Sequence, residues 1–381
     1  MASPLAKKEY LILAQYAVKI SKSVGRRHKE RIEDERLPFQ RDKDRIIHSK
    51  AFRRLDEKTQ VFMAGSGDHY RTRLTHTLEV AQIARDIARR LSLNEDLCEA
   101  IALAHDLGHP PFGHAGEAAL NDVMKAFGMG FEHNEQSRRV VEQLEKTYPG
   151  FDGLNLTIEV LDGLIKHQSA FDQAGKIFEK SAHLEAQVVN VADEIAYTNH
   201  DMDDGLRADF IKMNQLRKFK LWQMAEKIVI QQYGKIKDVQ ILKSRIISTI
   251  ISLMIEDFCK QTHTNLKKNK IKEEKDVINF QGTLAHFSGN FTAMIKELRS
   301  YLYDEFYMHP EILNFTEKGK KMIKALFKYY FNNTDDFPAI KSWKKSVKKD
   351  RVSLAVVIKD YIAGMTDRFL VSQFNEKVLK K

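Results

Sequence analysis

The stretch His105-Asp106-Leu107-Gly108-His109-Pro110-Pro111-Phe112-Gly113-His114-Ala115-Gly116-Glu117 decides how this chain is read. It follows an apolar run, Ala100 to Ala104, that reads as the end of a buried helix. Gly108 and the two prolines stop that helix, because proline has no N–H to donate and disfavours helical geometry in the residue before it. His114 and Glu117 follow at i, i+3 and share a helix face. Histidines and carboxylates thus crowd one helix end and one tight turn. A polar Gly/Pro-rich surface loop is the bland reading. Against it, Asp106 comes directly off an apolar helix, where an unpaired charge is costly to bury. A divalent metal makes that burial favourable, and imidazole and carboxylate are its common donors.

The surroundings favour an all-α chain. Its 381 residues are 43% hydrophobic and 30% charged, enough for a sizeable core in two domains or one large one. The apolar runs are too short for a membrane span, and the N-terminus lacks a signal-peptide core and cleavage pattern. Cys98 and Cys259 form no disulfide framework, and Cys98 reads as a small core residue. A cytoplasmic protein is expected. The net charge of +10 favours polyanionic partners. Late lysines, at 266–272 and 341–349, read as solvated faces, with a single-stranded nucleic-acid surface as the minority reading.

Helical periodicity runs through most of the chain. Helices are predicted near Tyr10–Ser21, Arg41–Arg54 (with Ile46, Ile47, Ala51 and Leu55 available to a core), Arg73–Leu91 and Glu95–Leu107, the last capped by Asn94. On Arg73–Leu91 the apolar stripe is Leu74, Leu78, Ala81, Ala88 and Leu91, widened by Val80, Ile83 and Ile87, with His76 on that side. Further helices are predicted at Gly116–Phe127, Asn134–Lys146, Thr157–Lys166 and Ser181–His200. On the last, Asp193, Tyr197 and Asp201 stand at i, i+4, i+8 and share one face, which suggests a lined polar pocket. Residues 216–381 are predicted helical throughout, and no alternating pattern is long enough to build a large sheet.

A metal needs ligands that converge from several elements. The candidates are His76, the His105-Asp106 pair and Asp193. Adjacent helical residues point about 100° apart, so His105 and Asp106 can both reach one metal only near a helix end. This order resembles the HD superfamily of metal-dependent phosphohydrolases. Longer motifs resemble the bacterial deoxyguanosine triphosphate triphosphohydrolases (dGTPases): Arg45-Ile46-Ile47-His48-Ser49, Ala51-Phe52-Arg53-Arg54-Leu55, Lys58-Thr59-Gln60-Val61-Phe62, Arg71-Thr72-Arg73-Leu74-Thr75-His76, His105 to Glu117, Phe131-Glu132-His133-Asn134 and Asp193-Glu194-Ile195-Ala196-Tyr197. They span about half the chain.

The resemblance implies an HD-domain helical core (41–215) between an N-terminal helical arm (1–40) and a C-terminal helical lobe (216–381). It implies hydrolysis of a dNTP to deoxynucleoside and inorganic triphosphate. His76, His105, Asp106 and Asp193 would hold a divalent metal: Mn²⁺, Mg²⁺ or Fe²⁺, with Co²⁺ and Ni²⁺ also accepted by such donors. His114 and Glu117 would be the catalytic pair, joined by His133. Gln60 and Val61 would meet the deoxyribose, with Tyr197 and Asp201 near the sugar, and Arg73 and Lys166 would face the phosphates. The leaving alkoxide needs a proton, which His114 would donate while Glu117 holds its tautomer. His48, His69 and His109 read as ordinary polar or turn-shaping residues. The family also implies a homo-oligomer and an allosteric dNTP. Two other functions compete: an HD phosphohydrolase acting on another nucleotide, and a regulatory protein binding single-stranded nucleic acid.

Overall fold

A computed structural model describes residues 9, 11–30, 35–60, 71–165, 181–338 and 350–379. The chain is all-α: among the described residues, extended pairing is limited to three isolated bridges. The helices that matter here are α1 (Pro38–Ile47), α2 (Lys50–Arg54), α3 (Arg73–Arg90), α4 (Glu95–Ala104), α5 (Gly113–Lys125), α6 (His133–Arg139), α7 (Ile158–Ile165), α8 (Leu184–Arg207), α9 (Lys220–Tyr233), α10 (Val239–Lys268), α11 (Gly289–Leu302), α12 (Pro310–Asn332), α13 (Arg351–Ala363) and α14 (Asp367–Phe374). They fall into two compact units: one takes Met1–Asp44, Leu78–Leu103 and Leu156–His309, the other Arg45–Thr77, Ala104–Asn155 and Pro310–Lys381.

In the first unit, α8, α9, α10 and α11 pack together around residues such as Trp222, Ile250 and Phe258, all fully buried. The core face of α3 is Val80, Ile83, Ala84, Ile87, Ala88 and Leu91. Leu78, placed on the apolar stripe from sequence, is instead half exposed. The helix predicted near Tyr10–Ser21 does not form as a continuous element: the described residues there show a short helical turn and a 3-10 turn at Ile20–Lys22. Tertiary acceptors take its backbone donors. Ala14 N donates to Ser92 O at 2.8 Å, Val18 N to Glu185 Oε1 at 2.9 Å and Ile20 N to Glu9 Oε2 at 3.1 Å. A segment whose N–H groups are satisfied this way has no need of i→i−4 bonds. Asn94 caps α4 as expected, accepting from Leu97 N at 3.1 Å.

In the second unit, α12 lies against α5, α13 and α14, and their facing side chains (Leu120, Met124, Ile323, Phe327, Tyr330 and Ile358 among them) make one core. The helix predicted as Arg41–Arg54 is two helices. Pro38 opens α1, where its missing N–H costs nothing. Ser49 then accepts from Phe52 N at 3.1 Å and starts α2. Ile46, Ala51 and Leu55 are buried, while Ile47 is exposed. α4 ends at Ala104, before the predicted Leu107, because Ser137 intervenes: its hydroxyl donates to His105 O at 2.6 Å and accepts from Gly108 N at 2.8 Å. A Cβ on Gly108 would lie 2.1 Å from Ser137 N and 2.3 Å from His133 O, so the close approach of α6 requires glycine.

Candidate metal and catalytic centre

The second unit carries most of the expected site. Arg73 and His76 stand on the first turn of α3, and both are buried. His105 and Asp106 leave the end of α4 into the turn that Ser137 shapes. Asp106 is the hub. Its Oδ2 lies 2.9 Å from Arg73 Nη1 and 3.9 Å from His76 Nε2; its Oδ1 lies 2.9 Å from His109 Nδ1 and 3.4 Å from His105 Nε2. Burial alone would raise the Asp106 pKa, but His105, His109 and Arg73 together hold it well below the usual carboxylate range. His109, which reads from sequence as a turn-shaping residue, is therefore part of this cluster. It is buried, its Nδ1 lies beside Asp106, and its ring lies 4.0 Å from that of His133, centroid to centroid. Burial and the nearby Arg73 charge hold its pKa well below the ordinary histidine value.

After Phe112 the turn feeds α5, which carries His114 and, one helical turn later, Glu117. Glu117 Oε2 lies 3.3 Å from His114 Nδ1. The same carboxylate also serves α6: its Oε1 lies 3.1 Å from His133 Nδ1 and accepts from His133 N at 2.8 Å. Burial opposes ionisation of Glu117, but the bonds from His114 and His133 outweigh it and push its pKa far down. The His114 side chain is 43% exposed and that of His133 only 2%. One ionised carboxylate thus links a solvent-facing imidazole to a buried one. His109, Glu117 and His133 present donor atoms within 4.8 Å of one another.

The first unit holds the other expected residues on α8. Asp193 and Asp201 are buried and share the helix face with Tyr197, as their spacing predicts. Asp201 Oδ2 accepts from the Tyr307 hydroxyl at 2.9 Å, and the Tyr197 and Tyr307 rings lie 6.2 Å apart. Burial pushes the Asp201 carboxyl well above its usual range, against the Tyr307 bond, and raises both phenols with it. The Arg299 guanidinium sits 5.6 Å from the Tyr197 ring centre and pairs with Glu194 at 2.8 Å. Beside them is a cavity of about 740 Å³, lined by Glu194, Tyr197, His286, Lys296, Arg299 and Tyr303 among others.

Gln60 is half-buried, and its Oε1 has no hydrogen-bond partner among the described residues. Val61 and Lys166, expected at the sugar and the phosphates, lie outside the described residues, as do the lysines at 341–349. Arg299 and Tyr307 went unread in the sequence. Their signal is an i, i+4, i+8 spacing through Tyr303 on a predicted helix, which marks one face but names no chemistry.

An all-α fold that buries a His on one helix, a His-Asp pair just past the end of the next and an Asp on a later helix has the architecture of an HD-domain phosphohydrolase. The HD domain family matches residues 73–198, and the phosphohydrolase-associated domain matches residues 285–376. Deoxyguanosinetriphosphate triphosphohydrolase-like proteins are similar along nearly the whole chain. The protein of Geobacter sulfurreducens is 46% identical over 368 residues, covering 95% of this chain and 94% of its own. That of Bartonella tribocorum is 42% identical over 385 residues, covering 96% and 95%. That of Leptospira interrogans is 41% identical over 373 residues, covering 96% of each. The chain belongs to the dGTPase family of HD-domain phosphohydrolases. Its buried donors His76, His105 and Asp193 fit a divalent metal, two imidazoles and a carboxylate being ordinary ligands for such ions.

Proposed function

We propose that this protein is a metal-dependent dNTP triphosphohydrolase that releases deoxynucleoside and inorganic triphosphate, with dGTP among its substrates. One observation carries the reading: Glu117, held ionised, binds Nδ1 of the exposed His114. An ionised carboxylate can only accept, so His114 keeps its proton on Nδ1 and presents Nε2 outward. With Nδ1–H held by Glu117, the protonated imidazolium carries its second proton on Nε2, and that is the proton a general acid gives to a departing oxygen. His133, on the far side of Glu117, fixes the carboxylate rather than meeting substrate.

His76, His105, Asp106 and Asp193 would hold the metal, which supplies Lewis acidity at a phosphoryl oxygen when bound. The protein's own groups do the rest. Water attacks the α-phosphorus, the bond to the 5′-oxygen breaks, and the electron pair stays on that oxygen. His114, as imidazolium, gives it the Nε2 proton; the attacking water loses one proton to solvent, from which His114 is reprotonated. Arg73, whose buried Nε has no hydrogen-bond partner among the described residues, offsets charge on the phosphates. Lys296 and Arg299 make their cavity suited to the triphosphate, and its size is that of an ordinary nucleotide pocket. Tyr197, one turn beyond Asp193, stacks near the deoxyribose and leaves little room for a 2′-hydroxyl.

The test is to offer the four dNTPs singly and as a mixture, with Mn²⁺ or Mg²⁺, and to resolve the products. Inorganic triphosphate with deoxynucleoside supports the reading. Pyrophosphate or orthophosphate would place the enzyme elsewhere among HD phosphohydrolases. No hydrolysis, with tight binding to single strands, would favour a regulatory nucleic-acid-binding role.

A further inference from the structure

The turn between Asp106 and His114 is an unusual piece of backbone. Phe112 has φ +62° and Gly113 has φ +55°, two left-handed residues in succession after two prolines. A non-glycine residue held there is strained and persists only where its surroundings over-determine it. Those surroundings come from residues that the proposed chemistry does not use. Asp367, the first residue of α14, accepts from Phe112 N through Oδ1 at 3.1 Å. Its Oδ2 accepts from Thr59 N at 2.9 Å and from the Thr59 hydroxyl. Beside Thr59, the fully buried Lys58 donates from Nζ to His109 O at 2.5 Å and to Ala363 O at 3.0 Å. On the other side, α12 makes room for the Phe112 ring with Gly319, where a Cβ would lie 2.6 Å from Phe112 Cγ. All of these residues belong to the second unit.

We propose that Lys58 and Asp367 are positioning residues: they hold the His109–Gly113 turn by its backbone at both ends and thereby aim His114 and Glu117. Phe112 N is anchored by a carboxylate 255 residues away in sequence. That anchor sets the left-handed step from which α5 starts, so it sets where His114 and, one turn on, Glu117 point. Lys58 fixes the other end through the carbonyl of His109, whose Nδ1 lies 2.9 Å from Asp106 Oδ1. Neither Lys58 nor Asp367 need touch substrate. Their effect is on angle and distance at the reacting groups, where a displacement of about 1 Å can cost about 10²-fold in rate.

The inference rests on the hydrolase reading, so its test includes a readout that needs no catalysis. Compare wild type with Asp367→Asn, Asp367→Ala and Lys58→Met, and with Arg54→Ala as a control. Arg54 donates to Gly364 O at 3.0 Å, at the same helix junction but away from the turn. Amide hydrogen exchange over residues 109–117 should speed up at least tenfold in Asp367→Ala and Lys58→Met. It should speed up less in Asp367→Asn, which keeps an acceptor for Phe112 N, and not at all in Arg54→Ala. For the dNTP reaction, kcat per folded molecule should fall about 10²-fold in Asp367→Ala and about tenfold in Asp367→Asn, with KM and metal content unchanged. Unchanged exchange at the turn overturns the proposal, and so does a loss of activity that only follows the unfolded fraction. If wild type hydrolyses no dNTP, the proposed function fails while the exchange experiment still decides whether Lys58 and Asp367 hold the turn. Should an alanine variant not fold, Asp367→Asn, which is nearly isosteric, carries the comparison alone.

Discussion

Removing the His114 imidazole tests the chemistry most directly, because the structure separates its catalytic role from its structural one. The side chain is 43% exposed, so His114→Ala should shift stability by no more than about 0.5 kcal/mol. Loss of a positioned general acid costs about 10² to 10⁴ in rate, which is about 2.7 to 5.4 kcal/mol of barrier. Because the proton is needed only as the 5′-oxygen departs, kcat and kcat/KM should fall together. Glu117→Gln should approach the same loss by another route. The carboxylate accepts from His114 Nδ1, His133 Nδ1 and His133 N. An amide has one oxygen for these three donors, and its NH2 would drive at least one imidazole into the wrong tautomer. Glu117→Ala does more harm than His114→Ala, because it strands the buried N–H of His133 at about 1–3 kcal/mol. Through His114 alone Glu117→Ala would cost less rate than His114→Ala; the bond from His133 N adds a stability cost that His114→Ala does not carry. The assay is single-turnover hydrolysis with metal content, nucleotide affinity and thermal midpoint measured on each variant. The double variant His114→Ala/Glu117→Gln should be no slower than the slower single. Loss of metal in His114→Ala, or strictly multiplicative rate losses, would refute the reasoning.

Asp106→Asn should lose metal and turnover, and Asp106→Ala should also destabilise the fold by about 3–5 kcal/mol, because it leaves the buried Arg73 guanidinium without its carboxylate; metal analysis and urea unfolding check both. GTP should turn over far more slowly than dGTP, and equal rates in wild type would remove Tyr197 as the guard against a 2′-hydroxyl. Stability should depend on pH through Lys58, whose ammonium is pushed down to about 7 by burial and by the Arg73 charge, against the opposing pull of Asp367. Between pH 7 and about 10 the unfolded chain then binds more protons than the folded one, so the stability of wild type relative to Lys58→Met should rise with pH, by at most about 1.4 kcal/mol per unit. A gap that stays flat across that range in urea unfolding would contradict it.

Much of this molecule is legible in one dimension because its signals are local. The all-α class follows from helical periodicity. The candidate metal donors follow from a His-Asp pair that an apolar helix delivers to a Gly-Pro-Pro break, with His76 and Asp193 on other helices. The shared face of Asp193, Tyr197 and Asp201 follows from a spacing of four. What the sequence left open depends on partners far along the chain. Ser137 ends α4 early by taking both backbone groups of the His105–Gly108 turn. Glu185 and Glu9 draw the N-terminal segment out of the predicted helix. His109 looks like punctuation among prolines until folding puts Asp106 on one side of its ring and His133 on the other. Glu117 gains a second histidine from α6. Lys58 and Asp367, separated by 309 positions (367 − 58), meet on one strained turn. Helix propensity and periodicity are set by neighbours within a turn or two, so the sequence states them directly. Which acceptor satisfies a buried N–H, and which charge faces a buried carboxylate, is decided by burial itself, when water is lost and only the groups brought alongside can replace it.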